Sequence, residues 1–266
     1  MWMMKDYFDI DKQIVHLAID KSVMFRHSEI TIAEKILRDS NYKNFVSCSK
    51  IKFAELIGSN LIMYKTASFK DWQDYFEMDK KISKHLVGNL LDFELTLNSR
   101  VSHYMSELMA SSELTSREQH ELVQIIKQIK DRNNITFSKY NGQETWNYVS
   151  KMTFGEMKQL VFWFHDKKPD VYAKIIEGYS FLSKNARNRL NELNHLRNSL
   201  FHLTPLTIYL TYGVFRSKKL NNNERKKVVR WILKLRDQKE IKESLSEICA
   251  NSDNYVKIKN SLQNVG

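Results

Sequence analysis

The sequence is poor in the residues that interrupt helices and in those that build covalent or metal frameworks. Its 266 residues include seven Gly, two Pro and two Cys. Because Gly and Pro are the usual helix breakers, their scarcity, together with abundant Leu, Ile, Lys, Glu and Asn, predicts a mostly helical chain. Cys48 and Cys249 stand far apart and belong to no CxxC pattern. This spacing excludes a disulfide framework and a zinc site of that kind, and it fits a reducing compartment.

Long apolar runs and leader features are also missing. The longest apolar run, near Leu160–Phe164, is far too short to span a bilayer. The stretch MWMMKDYFDIDKQ has no basic region followed by a long apolar core, so we expect no signal peptide, no membrane association and a cytoplasmic protein. The sequence has no Gly-rich phosphate loop, no HExxH motif and no clustered carboxylates of the two-metal type. We therefore expect neither a cofactor nor a metal.

Positive charge is in clear excess. The chain has 42 Lys and Arg against 31 Asp and Glu, a formal net charge of +11. Such a surplus favours a polyanionic partner, with RNA and DNA as the first candidates. The alternative is an ordinary soluble surface with surplus lysine.

The most concentrated basic run is ERKKVVRWILKLR, inside a last long helix predicted from about Glu224 to Ala250. Its cations are predicted to form an RNA-binding track, and the alternative is a solvated helix face. The predicted RNA-binding residues are Arg225, Lys226, Lys227, Arg230 and Lys234. The stretch NYKNFVSCSKIKF also mixes aromatic and basic residues. It could contact nucleic acid, whereas the alternative is aromatic residues filling a helical core.

Helical periodicity is clearest from about Asp79 to Met109, where apolar residues recur at steps of three and four. These residues are Ile82, Leu86, Leu90, Phe93, Leu97, Val101, Tyr104 and Leu108. Further helices are predicted from Ser116 to about Arg132 and from about Lys184 to Leu203. Thr153 is a predicted N-cap for the helix in MTFGEMKQLVFWF. Residues 1–66 are predicted to form short helices with loops.

The segment NELNHLRNSLFHLTPL contains an Arg and a His with four residues between them, Arg197 and His202. His transfers protons near neutral pH, and Arg can hold a phosphate through two contacts and stabilise charge that develops on it. These two side chains together could cleave RNA without a metal. The bare pattern also allows a surface His and an Arg that pairs with a neighbouring helix.

Geometry places the two side chains on different faces of a straight helix. Five positions rotate the second side chain by about 500°, or roughly 140° after one full turn is removed. The apolar stripe consists of Leu193, Leu196, Leu200 and Leu203. Arg197 lies beside this stripe, whereas His202 falls on the opposite side. Because Pro205 disfavours α conformation at Thr204, the helix is expected to loosen just after His202.

Arg197 needs an anionic partner, because an unpaired cation at the edge of a core is costly. Glu94 has the same placement on its own predicted helix, between Leu90 and Leu97 in rotation. It is therefore the predicted partner of Arg197, and the alternative is a solvated Glu94.

Four segments in order resemble the Abi-like family, the AbiD/AbiF group of abortive-infection proteins within the HEPN superfamily of helical ribonucleases. They are FKDWQDYFEMDKKISKHL, LLDFELTLNSRVSHYMSEL, MTFGEMKQLVFWF and LNELNHLRNSLFHLTPL, which together span about residues 67–210. Many relatives carry an Arg where this chain has Asn98, and a second His and then an Arg where it has Leu203 and Pro205.

The resemblance implies a metal-independent endoribonuclease of anti-phage defence. The ribose 2′-OH would attack the adjacent phosphate, with His202 as acid or base and Arg197 holding the phosphate. Asn198 would orient the imidazole or bind the substrate. The resemblance also implies a homodimer with two Arg/His pairs at its two-fold interface, and an antitoxin or a small structured RNA as partner.

The sequence thus predicts an all-α, HEPN-type helical bundle with additional N-terminal helices. Residues 1–66 would form an N-terminal helical region and residues 67–266 a HEPN-like domain with a C-terminal helical extension. Two alternatives to the ribonuclease are an RNA-binding module whose Arg/His site is idle or regulated, and a helical protein-interaction scaffold. The net charge of +11 argues against the scaffold.

Overall fold

A computed structural model describes residues 9–57, 61–133, 149, 152–212, 222–234 and 239–263. The chain divides into two compact units. Unit 1 contains residues 1–87 and 198–266, and unit 2 contains residues 88–197. These units do not coincide with the predicted regions 1–66 and 67–266. The predicted division into those two domains stays a prediction.

Helices dominate the described residues, which confirms the predicted all-α class. None of these helices is both long and apolar enough to cross a membrane. The helices of the described ranges are α1 (Ile10–Asp20), α2 (Ile30–Ser40), α3 (Tyr42–Phe53), α4 (Phe69–Ala110), α5 (Ser116–Asn133), α6 (Phe154–Lys167), α7 (Pro169–Ile175), α8 (Ala186–Phe201), α9 (Leu206–Tyr212), α10 (Asn222–Lys234) and α11 (Lys239–Gln263).

Within the described residues there are four short strands, all in unit 1, which were not predicted from the sequence. The strands are β1 (Val23–Met24), β2 (Ala54–Ile57), β3 (Leu61–Tyr64) and β4 (Ala67–Ser68). Strands β1 and β4 pair in parallel, and β2 pairs antiparallel with β3 so that Ala54 lies opposite Tyr64. Strands of two to four residues are too short for a period-two pattern to stand out among helices.

Aromatic side chains fill the core of unit 1, where α1, α2, α3, α9 and α11 pack together with the first part of α4. The ring of Phe53 stacks on Trp72 with centroids 5.4 Å apart, and Phe45 contacts Trp72 as well. Phe45 and Phe53 are buried, so the stretch NYKNFVSCSKIKF forms helix α3 and its aromatic residues fill the core, as the second interpretation of that stretch predicts. Cys48 is fully buried on the same helix and is not in a disulfide.

Unit 2 contains the rest of α4, helices α5 to α7 and α8 as far as Arg197. Phe93 on α4 meets the rings of Phe154 and Tyr179 edge to face, at 6.2 and 5.0 Å. Thr153 caps α6 as predicted, since its hydroxyl accepts from the Glu156 backbone N–H while the Glu156 carboxylate accepts from the N–H of Thr153. This reciprocal capping fixes where the helix begins.

Two helix predictions need correction. Helix α4 begins at Phe69, ten residues before the predicted start. Near the C-terminal end of α4, Met105 is buried where the periodicity predicted Tyr104. The helix predicted from Glu224 to Ala250 corresponds to α10 and α11, and residues 235–238 lie outside the described residues. Helix α11 continues to Gln263, beyond the predicted end.

Candidate functional site

His202 directly follows the last residue of α8 and lies in a tight helix-ending turn. Leu203 adopts a φ of +56°, the left-handed conformation, which closes the turn. Two backbone hydrogen bonds fix it, from the N–H of Leu203 to the carbonyl of Leu200 at 3.0 Å and from the N–H of Thr204 to Ser199 at 2.9 Å. This is a Schellman motif, and it places His202 at the C-cap. The predicted loosening of the helix after His202 therefore takes the form of a defined turn.

Side chains from two other helices of unit 1 hold the chain that follows His202. The Asn44 side-chain amide on α3 donates to the Leu203 carbonyl oxygen at 3.1 Å. Further along, the Asp79 carboxylate on α4 accepts from the backbone N–H groups of Leu206 and Thr207 at 2.8 and 2.7 Å. It also accepts from the Thr207 hydroxyl at 2.6 Å. These bonds give the turn a rigid support.

Asp79 is fully buried, and sequence reasoning missed its role. Burial raises the pKa of this carboxyl group, while the hydrogen bonds from Thr207 and Leu206 act in the opposite direction. A carboxylate at the start of α9 also interacts favourably with the partial positive charge of a helix N-terminus. One feature of the sequence could have indicated this role: an Asp lies within the apolar pattern of a helix, and a buried carboxylate must find hydrogen-bond donors.

Leu203 stores strain beside His202, because a side chain with a Cβ atom is unfavourable in the left-handed region by about 1–2 kcal/mol. The Leu203 side chain is 78% exposed, so its removal costs little burial. We therefore expect Leu203→Gly to raise the free energy of unfolding by about 1 kcal/mol in chemical denaturation. Leu203→Ala is the control because it keeps the Cβ atom. Equal stabilities for the Gly and Ala variants would contradict the strain.

The side chain of His202 is exposed and lines a cleft of about 840 Å³ in unit 1. Its backbone N–H donates to the carbonyl of Asn198 at 3.0 Å. Within the described ranges its imidazole has no hydrogen-bond partner, so the side chain is open to a ligand in the cleft. Proton transfer to or from a substrate requires this kind of access.

In unit 2, Arg197 on α8 forms an ion pair with Glu94 on α4, with 3.1 Å between Arg197 Nε and Glu94 Oε1. The side chain of Glu94 is 14% exposed and that of Arg197 is 29% exposed, so the contact is partly shielded from water. Burial raises the pKa of Glu94, and the guanidinium group opposes that rise. Of the two alternatives for Glu94, the structure therefore shows the pair with Arg197 and not a solvated carboxylate. A catalytic role for this ion pair stays a prediction.

The neighbouring arginine of α4, Arg100, has a structural position in unit 2. Its guanidinium donates to the carbonyl oxygens of Ile175, at 3.0 Å, and Glu177. It also lies over the ring of Tyr179, 5.2 Å from the centroid. Arg100 therefore ties α4 to the end of α7. The Asn98 side-chain oxygen, two residues earlier on α4, is buried and has no hydrogen-bond partner among the described residues.

The predicted RNA-binding track on α10 requires correction at two of its five residues. Arg225 and Lys226 are buried, and Lys226 pairs with Asp253 of α11. Helix α10 packs against α9, which removes this face from solvent. Lys227, Arg230 and Lys234 are exposed, and Lys227 pairs with Glu224 at 2.6 Å. A continuous RNA track of five cations is therefore not present, and only these three remain available for RNA.

No group of three or more His, Cys, Asp or Glu side chains in the described ranges could hold a metal ion. A family model described as Abi-like protein matches residues 35–207, more than half of the chain. The matched span includes Asp79, Glu94, Arg197 and His202, and it ends before α10. No curated protein and no solved structure matches the chain.

Proposed function

Because the chain belongs to the Abi-like family, which implies a function of the abortive-infection type, we propose that it is a metal-independent endoribonuclease of the HEPN kind. The observation that carries this proposal is the exposed imidazole of His202. It lies in a turn that Asn44 holds through the Leu203 carbonyl, Asp79 anchors the helix that begins just after this turn, and the imidazole lines a cleft. A rigid support for an accessible proton-transfer group is what acid–base catalysis requires.

In the proposed reaction the 2′-OH of a ribose attacks the adjacent phosphorus. The bond between phosphorus and O2′ forms, and the bond between phosphorus and the 5′ oxygen of the next nucleotide breaks. A base takes the proton of the 2′-OH and an acid gives a proton to the leaving 5′ oxygen. The products are a 2′,3′-cyclic phosphate and a free 5′-OH. His202 serves as the acid or the base, and Asn198 orients its imidazole or binds the substrate.

Arg197 holds the phosphate and stabilises the charge that develops on it. Its ion pair with Glu94 supports this role, because a guanidinium with one edge anchored loses less freedom when it binds a phosphate. A second copy of the Arg/His pair, from the other protomer of a two-fold dimer, completes the site. Activity is held off until infection, by an antitoxin or a small structured RNA.

We expect purified protein to cleave labelled cellular RNA in the presence of EDTA and to leave 2′,3′-cyclic phosphate ends. The reason is that both proton transfer and charge stabilisation come from side chains in this mechanism. End groups are identified by their resistance to phosphatase and by mass spectrometry. Added Mg²⁺ serves as the control and should not increase the rate. Cleavage that stops in EDTA, or that leaves 3′-OH ends, would overturn the mechanism.

The second candidate function is an RNA-binding module with an idle or regulated Arg/His site. The observation behind it is the same Glu94–Arg197 ion pair, because in an idle site the carboxylate would occupy the guanidinium group in place of a phosphate. The same purified protein distinguishes the two functions. RNA that is bound but remains intact in every condition indicates the binding module, whereas cleavage with cyclic phosphate ends indicates the enzyme.

A further inference from the structure

The cleft beside His202 carries two cations that have no anionic partner among the described residues. Arg38, in the last turn of α2, and Lys84, on α4, are both exposed and both line the cleft. In the part of the chain that the structure describes, neither side chain forms an ion pair or a hydrogen bond. By contrast, the third cation of the cleft, Lys80, pairs with Glu77 at 2.9 Å. Two unpaired cations from separate helices therefore face one concave surface.

Two carboxylates also line the cleft. Asp79 is buried and already accepts three hydrogen bonds from the start of α9, whereas Asp39 is exposed and forms no ion pair within the described ranges. The lining thus holds three cations, Arg38, Lys80 and Lys84, against these two carboxylates, of which Asp39 alone is exposed. This small excess of exposed positive charge favours an anionic ligand.

Apolar side chains form much of the remaining surface. Phe76, Leu200 and Pro205 line the cleft but are buried, whereas Val87 is partly exposed and Leu203 is exposed. A flat, apolar base can pack against these last two side chains while the phosphates contact cations. The cleft volume of about 840 Å³ also lies within the range of roughly 300–1,000 Å³ that is usual for ligand sites.

We propose that this cleft binds single-stranded RNA next to the scissile phosphate, with Arg38 and Lys84 contacting backbone phosphates and a base against the apolar side chains. The inference rests on the proposed function, because it makes the cleft the substrate groove of the His202 site. It assigns substrate binding to the N-terminal helix α2, which lies outside the segments that carry the sequence resemblance. Single-stranded RNA fits because unstacked bases are required for contact with apolar side chains.

The test is RNA binding by the full chain in a His202→Ala background, which separates binding from cleavage. A short, fluorescently labelled single-stranded RNA is titrated at several salt concentrations. Arg38→Ala combined with Lys84→Ala should weaken binding severalfold and flatten the salt dependence by about 1.4 units of logarithmic slope, since each phosphate contact on a single strand contributes about 0.7. Lys43→Ala combined with Lys65→Ala is the matched control. These two lysines are exposed and do not line the cleft, so their removal changes the net charge equally.

Binding by the Arg38/Lys84 variant that equals that of the parent, or an equal loss in the Lys43/Lys65 variant, would overturn the inference. Failure of the proposed function has a different result: RNA binding depends on Arg38 and Lys84, but His202-containing protein leaves the RNA intact. If the enzyme is active, the same pair of substitutions should raise KM with a smaller effect on kcat, because it removes binding contacts outside the reacting atoms.

Discussion

His202→Ala is expected to lower the rate of RNA cleavage by a factor of about 10²–10⁴, the usual contribution of a positioned acid or base. The free energy of unfolding should change by less than about 0.5 kcal/mol, since the side chain is exposed and has no hydrogen-bond partner within the described ranges. Single-turnover cleavage and chemical denaturation measure the two quantities. His27→Ala removes another exposed histidine of unit 1, away from the cleft, and should leave cleavage unchanged.

Mixing experiments extend this result to the proposed dimer. Arg197→Ala and His202→Ala protein should each be inactive, and heterodimers of the two retain one Arg197 and one His202. If these groups act together across a two-fold interface, mixing restores part of the activity. Activity that never returns, although heterodimers form, would contradict a shared site. Retention of full activity by His202→Ala alone would refute the catalytic role outright.

Asp79→Ala is expected to lower the free energy of unfolding by about 3–4 kcal/mol. The substitution leaves the N–H groups of Leu206 and Thr207 and the Thr207 hydroxyl without their acceptor, and each buried unsatisfied group costs about 1–3 kcal/mol. Removal of the desolvation penalty of the carboxylate offsets part of this loss. Chemical denaturation monitored by circular dichroism gives the value.

Asp74→Ala is the matched control for Asp79, because Asp74 is an exposed carboxylate of the same helix that pairs with Lys70. Its effect should stay within about 0.5 kcal/mol. Asp79→Asn should fall between the two, since it keeps one acceptor oxygen. We also expect Asp79→Ala protein that remains folded to cleave RNA more slowly, because the support of the His202 turn is lost. Equal stability of the Asp79→Ala and Asp74→Ala proteins would show that this support contributes nothing.

Local patterns in the sequence were sufficient for much of the helical architecture. The period of α4 and the capping pair of Thr153 both depend on residues three or four positions apart, and both predictions hold. The Glu94–Arg197 contact, one of two alternatives, followed from the cost of an unpaired cation at a core edge. Each of these inferences uses neighbours in sequence or one charge that needs a partner.

Features that depend on distant packing were not predictable in the same way. Asp79 finds its donors 127 and 128 residues later in the chain, so no spacing rule points to them. The burial of Lys226 depends on α9 and on Asp253 of α11, whereas the sequence shows only a basic run. Likewise the cleft forms where α2, α4 and the His202 turn meet, and its cations are unremarkable in the sequence.

The buried thiol of Cys48 can be used to measure local opening of unit 1. Burial raises the pKa of Cys48 well above its ordinary value, and the thiol lies against Asp79 and Thr207, the residues that anchor the start of α9. Alkylating reagents attack only an accessible thiolate, so Cys48 stays inert while the anchor is closed. The rate at which a thiol reagent modifies Cys48 therefore reports how often the support beneath His202 releases, including openings too brief for a melting curve to detect.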